Sequence, residues 1–335
     1  MEQSIDFTKF GKKLNPKNIQ ENFLINELKQ MNSVCQEDKL LSSFISKDLN
    51  VPIQVIYEGD KHAPEYNDSK GSIVYHTEIV ENQIENKGKN NIYYATQSSI
   101  FHELVHAEQV KTGLQPARTH IKNGEPFFVI DNAYDTMGIE AECKMLNAMY
   151  HIKAWEKEGK NLDEMKALIL QLQENGAEIV TGKGQGVVLP EYIDIMQQAK
   201  SQGKTNDEAH LIAGKQIILS LMSGNYSEWK NMYFGQISYL ENKQTTAGFS
   251  QPKLQPSSQL LDRLQQKYGI SKNELASCNM TRQLLENRNQ NNPHSKMLEL
   301  SGRKTPTTNQ PQPTSVPQKI NNNLYFKALE NNFNR

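Results

Sequence analysis

The stretch Ser99-Ile100-Phe101-His102-Glu103-Leu104-Val105-His106-Ala107-Glu108-Gln109 constrains this chain more than any other. On a helix, residues four apart sit one above the other on the same face, so His102 and His106 can aim two imidazoles at one point. With 8 histidines and 38 acids in 335 residues, chance supplies roughly 0.02 occurrences of such a pair with an acid after the first histidine. Phe101, Leu104 and Val105 lie beside the polar His102, Glu103 and His106, as in a buried helix that turns only its polar edge to a cleft.

Two imidazoles, one carboxylate and an open water position make the arrangement of catalytic zinc, and zinc is the metal this pattern predicts. Gln109 and Thr112 stand where the extended motif with a third histidine would need Gly and His, so the remaining ligand must come from farther along the chain. Cys35, in Asn32-Ser33-Val34-Cys35-Gln36, has none of the Glu-Gly-Cys surroundings of a cysteine-ligated variant. A downstream acid is favoured. Met137-Gly138-Ile139-Glu140-Ala141-Glu142-Cys143-Lys144 opens the next expected helix, reached by a long loop from Thr112. A helical wheel groups Glu140 with Lys144, Asn147 and His151 on a polar face. It sets Glu142 among Ile139, Cys143, Leu146 and Met149, so periodicity alone turns Glu142 inward.

Together these residues resemble the gluzincin class of zinc metallopeptidases, in which the His-Glu-x-x-His helix is followed by a second helix that supplies a glutamate ligand. The resemblance covers about residues 51–150. It is nearest to compact bacterial metallopeptidases, some of them delivered into host cells as effectors, with His-Glu-x-x-His-x-x-Gln followed by Glu-Ala-acid; His102, Glu103, His106, Gln109, Glu140, Ala141 and Glu142 match position by position. It implies zinc held by His102, His106 and Glu140, the small Ala141 allowing close approach, with Glu142 as the alternative third ligand. Lys144 stands where some members hold an Asp that braces a ligand. The implied activity is that of a zinc-dependent endopeptidase on a protein or peptide substrate, with Glu103 as the general base that takes a proton from water and passes it to the leaving amine. His120, Tyr134 and Tyr150 are available to stabilise an oxyanion, and the strand Ile73 to Val80 falls where a zincin has its substrate-pairing edge strand. The alternative is a catalytically inactive zincin-fold binding or effector protein that acts through its helical half and tail.

The fold class expected is α+β and zincin-like: a small antiparallel or mixed sheet, the metal-binding helix, then a mainly helical second half. Residues 1–243 form the domain, with a helical preface at about 20–48. Strands are expected at Val51–Tyr57, Ser72–Val80 and Ile92–Ala95, with a hairpin turn at Lys87–Asn91. Helices are expected from Thr96 to Val110 and at about 138–155, 162–172, 192–199, 207–222 and 226–240. Glycine-rich Thr181–Gly186 lacks the ending of a phosphate loop and reads as a flexible loop. Past Lys243 the chain turns to Gln, Asn, Ser, Thr and Pro, so residues 244–335 are expected to be a largely disordered extension, with a short helical pair at 258–286 and a segment able to meet a protein partner.

Charge and cysteines exclude several classes. Lys+Arg 37 against Asp+Glu 38 gives a net charge of −1, which offers no field for nucleic acid. Three dispersed cysteines without a Cys-x-x-Cys pair argue for a reducing compartment. The early Asp6, Lys12 and Lys13 leave no room for a secretory signal, and no run is long enough to span a bilayer. The expected location is the cytoplasm, or a host cell reached by a signal-peptide-independent route.

Overall fold

The computed structural model describes residues 19–44, 53–56, 65–67, 72–76, 100–115, 118–122, 125–174 and 185–291. In chain order these form α1 (Ile19–Cys35), a short 3-10 turn (Leu41–Phe44), β1 (Ile53–Ile56), β2 (Glu65–Asn67), β3 (Ser72–His76) and α2 (Ile100–Lys111). There follow β4 (Arg118–Lys122), β5 (Glu125–Val129), α3 (Ala133–Lys157), α4 (Leu162–Glu174) and a second 3-10 turn (Gln185–Val188). The last elements are α5 (Leu189–Ser201), α6 (Asn206–Ser223), α7 (Ser227–Thr246), α8 (Ser258–Tyr268), α9 (Lys272–Ser277) and α10 (Met280–Asn291). The α+β class expected from the sequence holds at this level, with helix predominating. No helix among the described residues is long and apolar enough to cross a membrane.

Everything is assembled on α3. Asn132 starts it by accepting hydrogen bonds from the Tyr134 and Asp135 amides at 3.0 and 3.3 Å, which satisfies donors that a helix N-terminus leaves open. The helix therefore begins five residues before the expected Gly138. Twenty of its 25 residues are buried, because α1, α2, α5, α6 and α8 pack around it and leave no solvent face. Gly138 is needed for one of these contacts: a Cβ there would lie 2.7 Å from Leu260 Cδ2 on α8. Gly138→Ala is expected to cost about 1–3 kcal/mol through overpacking, read as a lower urea midpoint. An unchanged midpoint would mean that Leu260 yields freely.

The sheet has the order β1-β3-β2, with β1 parallel to β3 (Ile53 opposite Ile73) and β2 antiparallel to it (Tyr66 opposite Ile73). β3, which could have been an edge or an interior strand, is paired on both sides, and among the described residues β2 and β1 flank it, with β2 beside α2. The expected strand Ile92–Ala95, the turn at 87–91 and most of the glycine-rich stretch at 181–186 lie outside the described residues. In place of a long loop after Thr112, the antiparallel pair β4–β5 intervenes before α3.

The expected boundary at residue 243 falls inside α7, and the segment beyond it is part of the core. Ala133 N donates to Lys253 O, and Lys253 N to Asp131 O, both at 2.9 Å, so the Gln/Pro-rich stretch is pinned to the start of α3. Ser257 N also donates to Asp135 Oδ1 at 2.9 Å. Leu260, Leu264, Tyr268 and Ile270 are then fully buried, and Leu275, Met280 and Leu284 follow. A few well-spaced apolar residues, with Ser257 and Ser271 capping α8 and α9, order what composition alone read as loose. Residues 292–335 lie outside the described residues.

Candidate metal centre

α2 is built as its pattern requires. Ile100, Phe101, Leu104 and Val105 are buried, and the Phe101 ring stacks on Tyr150 of α3 at 4.9 Å while meeting Phe44 edge-on at 5.8 Å. Gly113, at φ +88°, ends the helix by letting its own amide reach Val110 O and the Leu114 amide reach Gln109 O. The polar edge that remains carries His102 and Glu103, only 7% and 5% exposed, and the partly buried His106.

His102 Nε2 and His106 Nε2 stand 3.2 Å apart, and Glu140 Oε1 lies 3.6 Å from His106 Nε2. Donor atoms held about 2.0–2.1 Å from a tetrahedral ion are separated by about 3.3 Å, so the spacing of the histidine pair suits one cation, and Glu140 lies within reach of His106. The outer atoms are tied as well. His106 Nδ1 is 3.1 Å from Gln109 Oε1, and the Tyr233 hydroxyl of α7 donates to Glu140 Oε2 at 2.9 Å. Burial above all, with the buried Lys144 ammonium adding to it, holds the His102 imidazole well below its ordinary pKa, which leaves it neutral and able to offer a lone pair.

The two candidate acids part company here. Glu142 is fully buried and turned away from the histidines: it accepts from Gln109 Nε2 at 2.7 Å, Arg263 Nε at 2.6 Å and the Tyr268 hydroxyl at 2.7 Å. Arg263 also pairs with Glu108 and donates to Thr112 Oγ1, and Lys267 donates to Glu108 at 3.0 Å, so α8 clamps α2 to α3. Glu140 sits partly buried on the polar row with Lys144, Asn147 and His151, and the enclosure of α3 buries those three.

Cys143 is the residue that sequence reasoning left unassigned. His102, His106 and Cys143 bring three ligand atoms within 4.8 Å of one another and form a buried group able to hold a metal ion. The thiol lies on the other edge of the His106 ring from Glu140, with Sγ 3.4 Å from Nδ1 and donating to Gln109 Oε1 at 3.3 Å. Burial, with the carboxylates of Glu140, Glu142 and Glu103, holds the thiol well above its ordinary pKa. Lys144 is almost fully buried, and that burial lowers its ammonium to about 7 against the opposing pull of Glu140.

The three side chains considered for an oxyanion have their contacts elsewhere. His120 meets the Phe249 ring at a tilt, Tyr134 donates to the Leu275 carbonyl at 3.4 Å, and Tyr150 lies against Phe101. Tyr233 is the phenol beside the ligands; in sequence it is one of several aromatics at helical spacing and carries no signature of its own. Comparison of the chain with protein-family models, curated proteins and solved structures finds no match.

Proposed function

We propose that the chain is a zinc-dependent metallopeptidase of zincin type, in which His102 Nε2, His106 Nε2 and the Glu140 carboxylate hold the ion and Glu103 is the general base. The observation that carries this reading is the pair of facing Nε2 atoms at 3.2 Å with Glu140 Oε1 at 3.6 Å from one of them. Bound zinc supplies Lewis acidity toward water and toward a substrate carbonyl. Glu103, one residue after the first ligand, takes the proton from the attacking water on its carboxylate and hands it to the leaving amine nitrogen. Tyr233 keeps Glu140 Oε1 toward His106 by binding the other oxygen, and the neutral His102 keeps its lone pair available. A protein or peptide is the substrate consistent with amide hydrolysis.

Purified protein is expected to hold about one zinc per chain by plasma mass spectrometry, and the double variant His102→Ala/His106→Ala to hold none and to cleave no peptide in a mixed library. Equal zinc in both proteins would remove the site. A second reading, a zinc centre closed by Cys143 in a binding protein without turnover, is favoured by the Cys143 thiol lying within ligand range of both histidines. Glu140→Ala and Cys143→Ser separate the two. Zinc lost in the first and kept in the second supports the peptidase, and the reverse supports the binding protein.

A further inference from the structure

The Gln109 side chain is oriented by partners that can only accept. Its Nε2 donates to the Ile139 carbonyl oxygen at 3.2 Å and to Glu142 Oε2 at 2.7 Å, so its Oε1 is turned to the other side, 3.1 Å from His106 Nδ1. An amide oxygen also only accepts. It therefore selects the form of His106 with a proton on Nδ1 and the lone pair on Nε2, the nitrogen that faces His102 and Glu140. The Cys143 thiol, donating to the same Oε1, reinforces that orientation.

The selection lasts while Glu142 remains an acceptor. A side chain at that position with a donor of its own, such as an amide, would let the Gln109 amide turn over. Three donors prevent this: Gln109 itself, Arg263 Nε and the Tyr268 hydroxyl, the last two from α8. We infer that α8, through Arg263, Tyr268 and Glu142, fixes which ring nitrogen of His106 faces the metal position. Arg263 and Tyr268 are positioning residues, acting through Glu142 and Gln109 on a ligand more than 150 residues earlier in the chain. This deepens the metallopeptidase reading, on which its functional consequence rests, but the tautomer exists whether or not a metal is bound.

The test uses metal-free full-length protein carrying isotope-labelled histidine, whose long-range proton–nitrogen spectra report the protonated nitrogen of each imidazole. The wild type is expected to carry the His106 proton on Nδ1. Glu142→Gln keeps the shape but adds an amide donor, and is expected to move His106 to the Nε2-protonated form or to a mixture of the two. Its zinc affinity, read by competition with a chelating dye, is expected to fall about 10–100-fold. Arg263→Met is expected to shift the tautomer the same way and Arg263→Lys to restore it in large part, a pattern that a merely structural brace would not give. Should Arg263→Met fail to fold, Glu142→Gln decides alone, since it retains a side chain of the same size. A folded Glu142→Gln protein with the wild-type tautomer would overturn the inference and leave the Ile139 carbonyl as sufficient. Wild-type protein with the expected tautomer but no affinity for zinc would instead overturn the metallopeptidase reading and leave the relay standing.

Discussion

Replacing Glu103 by Gln is expected to lower peptide hydrolysis by about 10²–10⁴-fold while zinc stays bound at the wild-type level. Gln fills the same volume, so α2 keeps its packing, but its amide cannot take a proton from water. His102 and His106 retain their places on the helix, and the Nε2 spacing of 3.2 Å does not depend on the residue between them. Measuring kcat/KM on a cleaved peptide beside the metal content of the same sample separates the two effects. Hydrolysis undiminished in Glu103→Gln would sink the mechanism, and zinc lost with activity would make Glu103 a support of the site rather than its base.

Arg263→Met is expected to cost about 3–5 kcal/mol of stability, because it strands Glu142 as a fully buried carboxylate without its principal cation. Thermal unfolding should fall by about 10 °C or more. The triple variant Arg263→Met/Glu142→Leu/Tyr268→Phe, which removes the partners together, should recover most of the loss. Recovery that does not occur would mean that the contacts of Arg263 with Glu108 and Thr112 hold the clamp instead. The pH dependence has a definite sign. Burial raises the Glu142 carboxyl, but Arg263 and Lys267, with the hydrogen bonds from Arg263 and Gln109, outweigh it and hold it below its ordinary 4.5. A carboxyl lowered in the folded state contributes stability that is fully present above the unfolded pKa and disappears as pH falls through the folded one. The wild-type contribution of Glu142 should therefore be fully present above pH 4.5 and be lost as the solution is acidified below it, while in Arg263→Met, where burial loses its main opponent, the gap should begin to close at a higher pH as the stranded carboxyl takes a proton.

The histidine half of the candidate site was legible because its spacing is local. His102, Glu103 and His106 lie within five consecutive residues, and helix geometry alone brings them together. Choosing between Glu140 and Glu142 was harder, since periodicity ranks faces by polarity and assumes that the polar face meets water. In α3 both faces are enclosed, so the polar row is as interior as the apolar one and Glu142, inward as expected, meets Arg263 rather than the histidines. Arg263 left a faint trace: it interrupts the stripe Leu260, Leu264, Tyr268 at a position that should be apolar, and an arginine there needs a buried partner. The β4–β5 pair left a stronger one. Asn123-Gly124 lies between two short runs containing branched and aromatic residues, a hairpin signal that the long stretch before α3 obscured. Tyr233 could not have been found, because nothing in its neighbourhood distinguishes it from a core aromatic.

The clamp also fixes an order in time. Arg263 is joined to Glu108 across 155 residues of chain, so during synthesis α2 and α3 are made well before the helix that locks them. At translation rates of about 5–20 residues per second, that interval is about 8–30 s. Through it Glu142 has no arginine and Gln109 no fixed orientation, and the histidine pair is left without the settings that suit it to an ion. A nascent chain therefore passes through a stage in which α2 and α3 are complete but unclamped, and of these three elements it is α8, made last, that sets the histidine pair.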